Sequence, residues 1–242
     1  MARKTKKKNP TSQRFAKIEK EVDRTKLHDV DEAIALMKKT SSAKFNESVD
    51  LAVRIGVDPK KGEQNVRGTT TIPHGTGKAK TIAVLANGDD LKAAEEAGAD
   101  FVGEDDLIKK VQEGWKEFDV MLATEAMAKS IGKIGRFLGP KTPNKRNGTV
   151  TNNIVEAIKE IKSAKRIEYR IDKAANIHLG IGKTDYTDDQ IKENFNAALD
   201  AIIKARPSST KGRYLISVTL SSTMGPGIKI DPTLASKSAG HK

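Results

Sequence analysis

Between residues 81 and 162 the sequence alternates short apolar runs with amphipathic stretches, and that alternation leaves few folds open to it. Residues 81–86 read as a buried strand, 89–97 as a helix closed by Gly98, and 100–103 as a second strand. A helix over 105–113, a strand over 119–123 and a helix over 127–134 follow. Residues 154–162 add a fourth helix, with Ile154, Val155, Ile158 and Ile161 at helical spacing. Strands that alternate with helices predict a parallel sheet with helices packed on it.

On either side the grammar changes. Residues 30–39 put Val30, Ala33, Ile34 and Met37 on one helical face, and 49–57 alternate as a strand through Val49, Leu51, Val53, Ile55 and Val57. After the middle, 166–171 and 176–181 read as the two strands of a hairpin, 187–205 as an amphipathic helix stopped by Pro207, and 214–220 as a closing strand. Together the flanks predict one two-layer α+β domain, with the middle inserted into it. The expected division is 9–74 plus 164–231 for the split domain, 75–163 for the insert, and disordered tails at 1–8 and 232–242. The chain crosses between the two near 68–75 and 162–164, where hinge motion is expected.

Charge follows the same division. The chain has 44 Lys and Arg against 32 Asp and Glu, a net charge of +12. By segment the net charges are +7 over 1–74, zero over 75–163 and +5 over 164–242. The whole excess therefore lies in the flanks, which points to a polyanionic partner there. The chain has no cysteine, which excludes disulfides, thiolate metal sites and thiol nucleophiles. Apolar runs such as 82–86 are far short of the roughly 18 residues of a membrane span, and the basic start lacks the apolar core of a secretory signal. A cytoplasmic protein with no membrane partner is the expectation.

Motifs for small-molecule chemistry fail on inspection. Gly75-Thr76-Gly77-Lys78 resembles the end of a phosphate-binding loop, but position 72 is Ile where the leading Gly belongs, and Ala79 replaces the magnesium-holding hydroxyl. After the first strand of the middle, Asn87-Gly88-Asp89-Asp90 has one glycine and two carboxylates, which repel a pyrophosphate. Glu104-Asp105-Asp106 reads as a helix start and not as a metal site. His28, His74, His178 and His241 have no zinc-ligand spacing. No cofactor, metal or catalytic residue is expected; a nucleotide-dependent enzyme built on the insert is the alternative, and a chromatin-like DNA binder lacks its basic recognition helix.

Several strings resemble those of the universal large-subunit ribosomal protein family that bears the number one, in its bacterial form. They include Ala43-Lys44-Phe45-Asn46-Glu47-Ser48-Val49, Gln64-Asn65-Val66-Arg67-Gly68-Thr69, and Ile72-Pro73-His74-Gly75-Thr76-Gly77-Lys78. Further on are Ala94-Glu95-Glu96-Ala97-Gly98-Ala99-Asp100, Ile134-Gly135-Arg136-Phe137-Leu138-Gly139-Pro140, Asp172-Lys173 with Asn176-Ile177-His178, Ile181-Gly182-Lys183, and Ser222-Thr223-Met224-Gly225-Pro226-Gly227. The resemblance implies an α/β protein of two domains, a split two-layer α+β sandwich carrying an inserted Rossmann-like three-layer domain. It implies a constituent of the large subunit, bound to the stalk of 23S rRNA, that assists movement and release of exit-site tRNA. It also implies repression of translation of the protein's own messenger, and a monomer when free of the ribosome. One run departs from the family: after Pro140 this chain has Lys141-Thr142-Pro143-Asn144-Lys145-Arg146-Asn147, two residues shorter and without the usual Met and second Pro.

On that basis the expected RNA site is Lys44, Phe45, Glu47, Ser48, Thr223, Met224 and Gly225, extended by Arg54, Arg166, Arg170, Lys173 and His178. Lys44 offers a charge to phosphate and Phe45 a ring to ribose or base, although Phe before a strand also suits a core. Glu47 either accepts from a 2′-hydroxyl or is a solvated strand end. Met224 supplies a soft apolar face and Gly225 a close backbone approach, on what is otherwise an ordinary Gly-Pro turn. The Arg and Lys residues of 166–173 are either a basic extension or the wet side of a hairpin.

Overall fold

The computed structural model describes residues 12–78, 80–144 and 148–240, so the basic tail 1–8 lies outside the described residues. Before the middle come α1 (Gln13–Glu19), α2 (Val30–Thr40), β1 (Ser48–Ile55) and β2 (Arg67–Thr71). The middle contains β3 (Ile82–Leu85), α3 (Asp89–Glu96), β4 (Phe101–Gly103), α4 (Asp105–Gln112), β5 (Val120–Ala123), α5 (Ala128–Leu138) and α6 (Ile154–Lys162). After it come β6 (Arg166–Arg170), β7 (Asn176–Lys183), α7 (Asp188–Lys204), β8 (Leu215–Ser222), β9 (Ile228–Ile230) and α8 (Pro232–Ser238).

The flanks form a four-stranded antiparallel sheet in the order β7-β1-β8-β9. Alternation dictates its two faces: Val49, Leu51, Val53 and Ile55 point into a core with Ile34 and Met37 of α2 and Phe195, Leu199 and Ile202 of α7. Asp50 and Arg54 stand on the outer face. Helix α7 starts on a capping box, in which the Thr187 hydroxyl accepts from Gln190 N–H and the Gln190 side chain accepts from Thr187 N–H. Every buried residue of this core comes from outside 75–163.

The middle forms a parallel sheet in the order β4-β3-β5. Ile82, Val84 and Leu122 face α3 and α6, whereas Ala83, Leu85, Met121 and Ala123 face α4 and α5. The result is three layers, as the alternating pattern requires, since a parallel strand needs cover on both faces.

Two expectations need correction. Residues 166–171 and 176–181 do not form a hairpin: β6 pairs with β2 through Arg67↔Arg170 to Thr71↔Arg166, and β7 pairs with β1. The Asp172 carboxylate accepts from Ala174 N–H and Asn176 N–H and reverses the chain, but beyond that turn each strand pairs elsewhere. The crossing expected at 68–75 is accordingly strand as far as Thr71. The tail at 232–242 is helical over Pro232–Ser238, where Asp231 caps Thr233 N–H, Pro232 takes a first-turn position that needs no N–H, and Ala235 is buried.

The crossings are bonded to each other. Ile72 N–H donates to Lys165 O at 2.8 Å and Thr76 N–H to Ala164 O at 2.9 Å. Gly75 has φ +70°, and a Cβ there would lie 2.7 Å from Ser163 O, so only glycine fits. The fully buried amide of Asn194 fixes this region to α7: its Oδ1 accepts from His74 N–H at 3.0 Å, and its Nδ2 donates to Gly75 O and Ile181 O at 3.1 and 2.7 Å.

Replacing Asn194 with Ala strands those three backbone groups without partners. We expect a loss of about 1 to 3 kcal/mol, the cost of leaving buried polar groups unpaired. Urea denaturation measures it, and a loss within about 0.5 kcal/mol, the size typical of surface substitutions, would show that the amide is not a fastening.

Candidate nucleic-acid interface

Because β1 runs antiparallel to both neighbours, its first residue lies beside the last residues of β7 and β8: Ser48 pairs with Lys183, and Val49 with Ser222. The loops 41–47 and 223–227 therefore meet at one end of the sheet. Ser48 N–H donates to the Thr223 hydroxyl at 2.9 Å, and Thr223 N–H donates to Ser48 O at 3.0 Å.

Glu47 joins the two loops. It is fully buried; one carboxylate oxygen accepts from the Ser41 hydroxyl at 3.1 Å and Ala43 N–H at 3.0 Å, and the other accepts from Met224 N–H at 2.9 Å. Burial pushes its carboxyl up, but the Ser222 hydroxyl beside it and the donors of Met224, Ala43 and Ser41 outweigh that and hold it below the usual range. Ser222 Oγ is itself buried outside hydrogen-bond geometry with any partner, so its share in that balance needs a small rotation of the hydroxyl. Glu47 is thus neither a solvated strand end nor an acceptor presented to a ligand; it is the internal tie of the loop pair.

What the tie presents is apolar and cationic. Phe45 is 56% exposed and Met224 46% exposed, and Lys44 is exposed beside Phe45. Asn46 holds its loop to the end of β7, accepting from the Thr184 hydroxyl at 3.0 Å and donating to Asp185. Gly225 N–H closes a turn onto Ser222 O at 3.1 Å, and a Cβ at Gly225 would lie 2.5 Å from Ser222 Oγ. A side chain at Gly225 therefore presses on a buried hydroxyl as well as on any ligand.

One contributor was not anticipated. The Arg14 guanidinium on α1 donates to Met224 O at 3.0 Å and to Ser42 Oγ at 2.9 Å, bridging both loops from outside and adding a cation. Arg14 is 210 residues from Met224 in sequence, so only the fold brings it there.

The remaining expected residues are elsewhere. Arg54 stands near the far end of β1, about 20 Å from Ser48 at roughly 3.3 Å per residue. His178 is on the outer face opposite Ala52, with Nε2 3.8 Å from the Asp172 carboxylate. Lys173 is exposed in the turn beyond Arg170, and Arg170 lies directly across from Arg67. Arg166 is no surface cation: its side chain is 15% exposed, close to Glu160 at 3.9 Å and packed so tightly that a Cβ on Gly148 would meet it. The structure therefore assembles seven of the twelve at the loop pair; Arg54, Arg166, Arg170 and Lys173 lie apart from them, and His178 stands further along the outer face that Ser48 shares.

Ser48, Asp50, His178 and Gly180 line one wall of a cleft of about 460 Å³, whose other side includes Asp119, Lys141 and Thr149, with Lys78 and Lys80 at the crossing. The shortened run after Pro140 borders this cleft. Asn144 N–H donates to the Thr149 hydroxyl at 2.8 Å and closes its base, while Lys145, Arg146 and Asn147 lie outside the described residues. Among the described residues no group of His, Asp or Glu has the arrangement of a metal site, and no helix is long and apolar enough to cross a membrane.

Residues 37–226 match the family model described as the ribosomal protein L1p/L10e family, a span that contains all twelve expected site residues.

The role of Glu47 gives a pH-dependent expectation. Because its folded-state pKa lies below the unfolded value of about 4.3, the stability it contributes is present above that pH and disappears as pH falls through the folded value. Glu47→Gln, which puts an amide NH₂ against one of the N–H donors, should cost about 1 to 3 kcal/mol at neutral pH. Denaturation across pH 7 to 2 should show the difference between parent and variant closing in acid. A difference that stays constant would exclude the charge as the cause.

Proposed function

The chain belongs to the ribosomal protein L1p/L10e family, and we propose that it grips its RNA with the two loops that Glu47 ties together. The family membership makes it an RNA-binding constituent of the large ribosomal subunit and not an enzyme. Its partners are the stalk segment of 23S rRNA and exit-site tRNA, with a role in tRNA release and in regulating translation. Repression of its own messenger follows the same logic, since one RNA-binding surface serves any RNA that offers the stalk's shape.

The observation that favours the loop pair is the exposure of two large apolar side chains on rigid supports. What sets Phe45 and Met224 apart from other exposed apolar residues is that they stand on two adjoining loops whose backbone a buried carboxylate fixes. The Phe45 ring takes a ribose or an unpaired base, Met224 covers a sugar, and Lys44 and Arg14 meet phosphates. In this reading Glu47 and Gly225 shape the surface, and Ser48 and Thr223 lock its two loops edge to edge. Residues 9–74 with 164–231 act as the RNA-binding domain and 75–163 as an inserted domain, because the flank core is complete without the middle.

Three affinities test this. Phe45→Ala should weaken stalk-RNA binding by about 1 to 3 kcal/mol if the ring stacks on a base. Lys44→Ala should weaken it with little change in discrimination and lower the salt slope by somewhat under one unit. Replacing 75–163 by a short Gly-Ser linker should leave stalk-RNA affinity within about tenfold, roughly 1.4 kcal/mol. If Phe45→Ala lowered the melting temperature sharply yet left the folded fraction's affinity intact, the site would have to be redrawn.

A further inference from the structure

The charge excess of the flanks is most one-sided after residue 200. Residues 201–242 contain seven Lys and Arg against a single carboxylate, Asp231. The fold gathers three of those cations around one cleft. Helix α8 packs on both α7 and β8, and where α7 ends and β8 begins a cleft of about 350 Å³ is lined by Arg206, Arg213 and Lys237. The loop pair proposed to take RNA lies past Ser222, at the other end of β8, about 23 Å from Leu215 at roughly 3.3 Å per residue. The cleft is therefore a separate place on the flank domain.

The protein itself does not use up these cations. Arg213 and Lys237 are exposed, and neither side chain has a hydrogen-bond or ion-pair partner among the described residues. Asp231 feels the Arg213 charge, but its carboxylate accepts from Thr233 N–H and does not line the cleft. Arg206 is held in place: one terminal nitrogen donates to Thr210 O and Gly212 O, both at 3.2 Å, and the guanidinium lies over the Tyr214 ring, 5.7 Å from its centroid. Those bonds use two of the roughly five N–H groups of a guanidinium and leave the others for a ligand. Cations drawn to one cleft repel each other, and an anion seated among them relieves that repulsion.

The rest of the lining indicates what the anion carries. Thr233 and Ser236 put hydroxyls among the cations, which suits the several acceptor oxygens of a phosphate. Ile203, Leu215 and Pro232 add an apolar surface, from which a bare phosphate gains nothing but a ring or aliphatic body gains burial. The lining has no carboxylate and no histidine, and the Tyr214 phenol, pushed up to about 12 chiefly by burial, stays protonated. Such a site binds without supplying a general base. We infer that the cleft between α7, β8 and α8 binds a small phosphorylated molecule with an apolar or ring-shaped body, its phosphates on Arg206, Arg213 and Lys237. A nucleoside diphosphate has that make-up. The inference goes beyond the RNA reading and does not rest on it.

The test titrates the full chain with ADP, followed by calorimetry, at about 150 mM salt, where the screening length is roughly 8 Å. Arg213→Gln and Lys237→Gln each remove an unpaired cation of the lining, and Lys211→Gln removes an exposed one outside it. All three residues are exposed, so melting of the variants without ligand should match the parent. ADP should saturate one site per chain, about tenfold more weakly in Arg213→Gln and in Lys237→Gln, and within about twofold of the parent in Lys211→Gln. Adenosine and pyrophosphate should each bind at least about tenfold more weakly than ADP, since each uses only part of the cleft. A parent that does not bind ADP saturably, or equal losses from Lys211→Gln and the lining variants, overturns the site. Pyrophosphate binding as tightly as ADP overturns the apolar half of the assignment. Loss of ADP binding on Lys44→Ala but not on Arg213→Gln would put the nucleotide on the flank loops and overturn the inference. Stalk-RNA affinity, expected within about twofold of the parent in Arg213→Gln, judges the loop site on its own.

Discussion

The structure depends on β1 being an interior strand. It lies between β7 and β8, which come more than a hundred residues later, so the sheet cannot form until the chain has passed through the middle segment and returned. Val49, Leu51, Val53 and Ile55 are each almost wholly buried there, and burying such a side chain contributes roughly 1.5 to 3 kcal/mol. Those four contacts reward a long loop closure, whose entropy grows only slowly with length. Contacts so distant in sequence make the flanks slow to assemble relative to a local helical unit. They also explain why an inserted segment is tolerated: the two crossings sit side by side at the edge of a core that Ile72 enters and to which the insert contributes nothing.

From that register the site follows. Antiparallel pairing puts the start of β1 against the end of β8, and the loops beyond them have to meet. Their approach creates a cluster of backbone N–H groups without sheet partners, and one buried carboxylate answers three donors from both loops. A buried charge is tolerated only when its hydrogen-bonding capacity is filled, so Glu47 specifies this loop conformation at least as much as it stabilises it. The exposed Phe45 and Met224 are then carried on a prepared backbone frame, so that in the proposed reading binding spends less free energy on ordering the loops.

Much of this was legible from sequence, and the failures have physical causes. Period-two alternation identified β1, and helical spacing identified α2, α6 and α7, because each has one buried face. The parallel middle was legible because strand and helix alternate there. Pairing was not, since a pattern shows which face of a strand is buried and not which strand it meets; β6 and β7 looked like a hairpin although each pairs elsewhere. Helix α8 escaped because only Pro232 and Ala235 turn inward, too few for a periodic signal, although Asp231-Pro232 was a start signal in plain sight. Among the expected site residues, the inward direction of Glu47 was not legible, because a carboxylate in a basic region reads alike whether it faces in or out. Arg166 read as surface charge although it is folded into the crossing, and Arg14 had no local signal at all.

The crossings set how the two parts can move. A hinge needs residues that change φ and ψ without losing buried bonds, and the segment from Ile72 to Thr76 does not qualify. It is paired to Ala164 and Lys165, fixed at Gly75 by a backbone shape only glycine accepts, and fastened to α7 by Asn194. On the return, Ala164 holds φ +53°, a costly conformation for alanine that persists only where its surroundings dictate it. The hinge expected at 68–75 and 162–164 therefore falls on residues that the fold fastens. The cleft between the outer face at Ser48 and His178 and the wall at Asp119 and Lys141 therefore lies beside fastened crossings and not beside a loose joint.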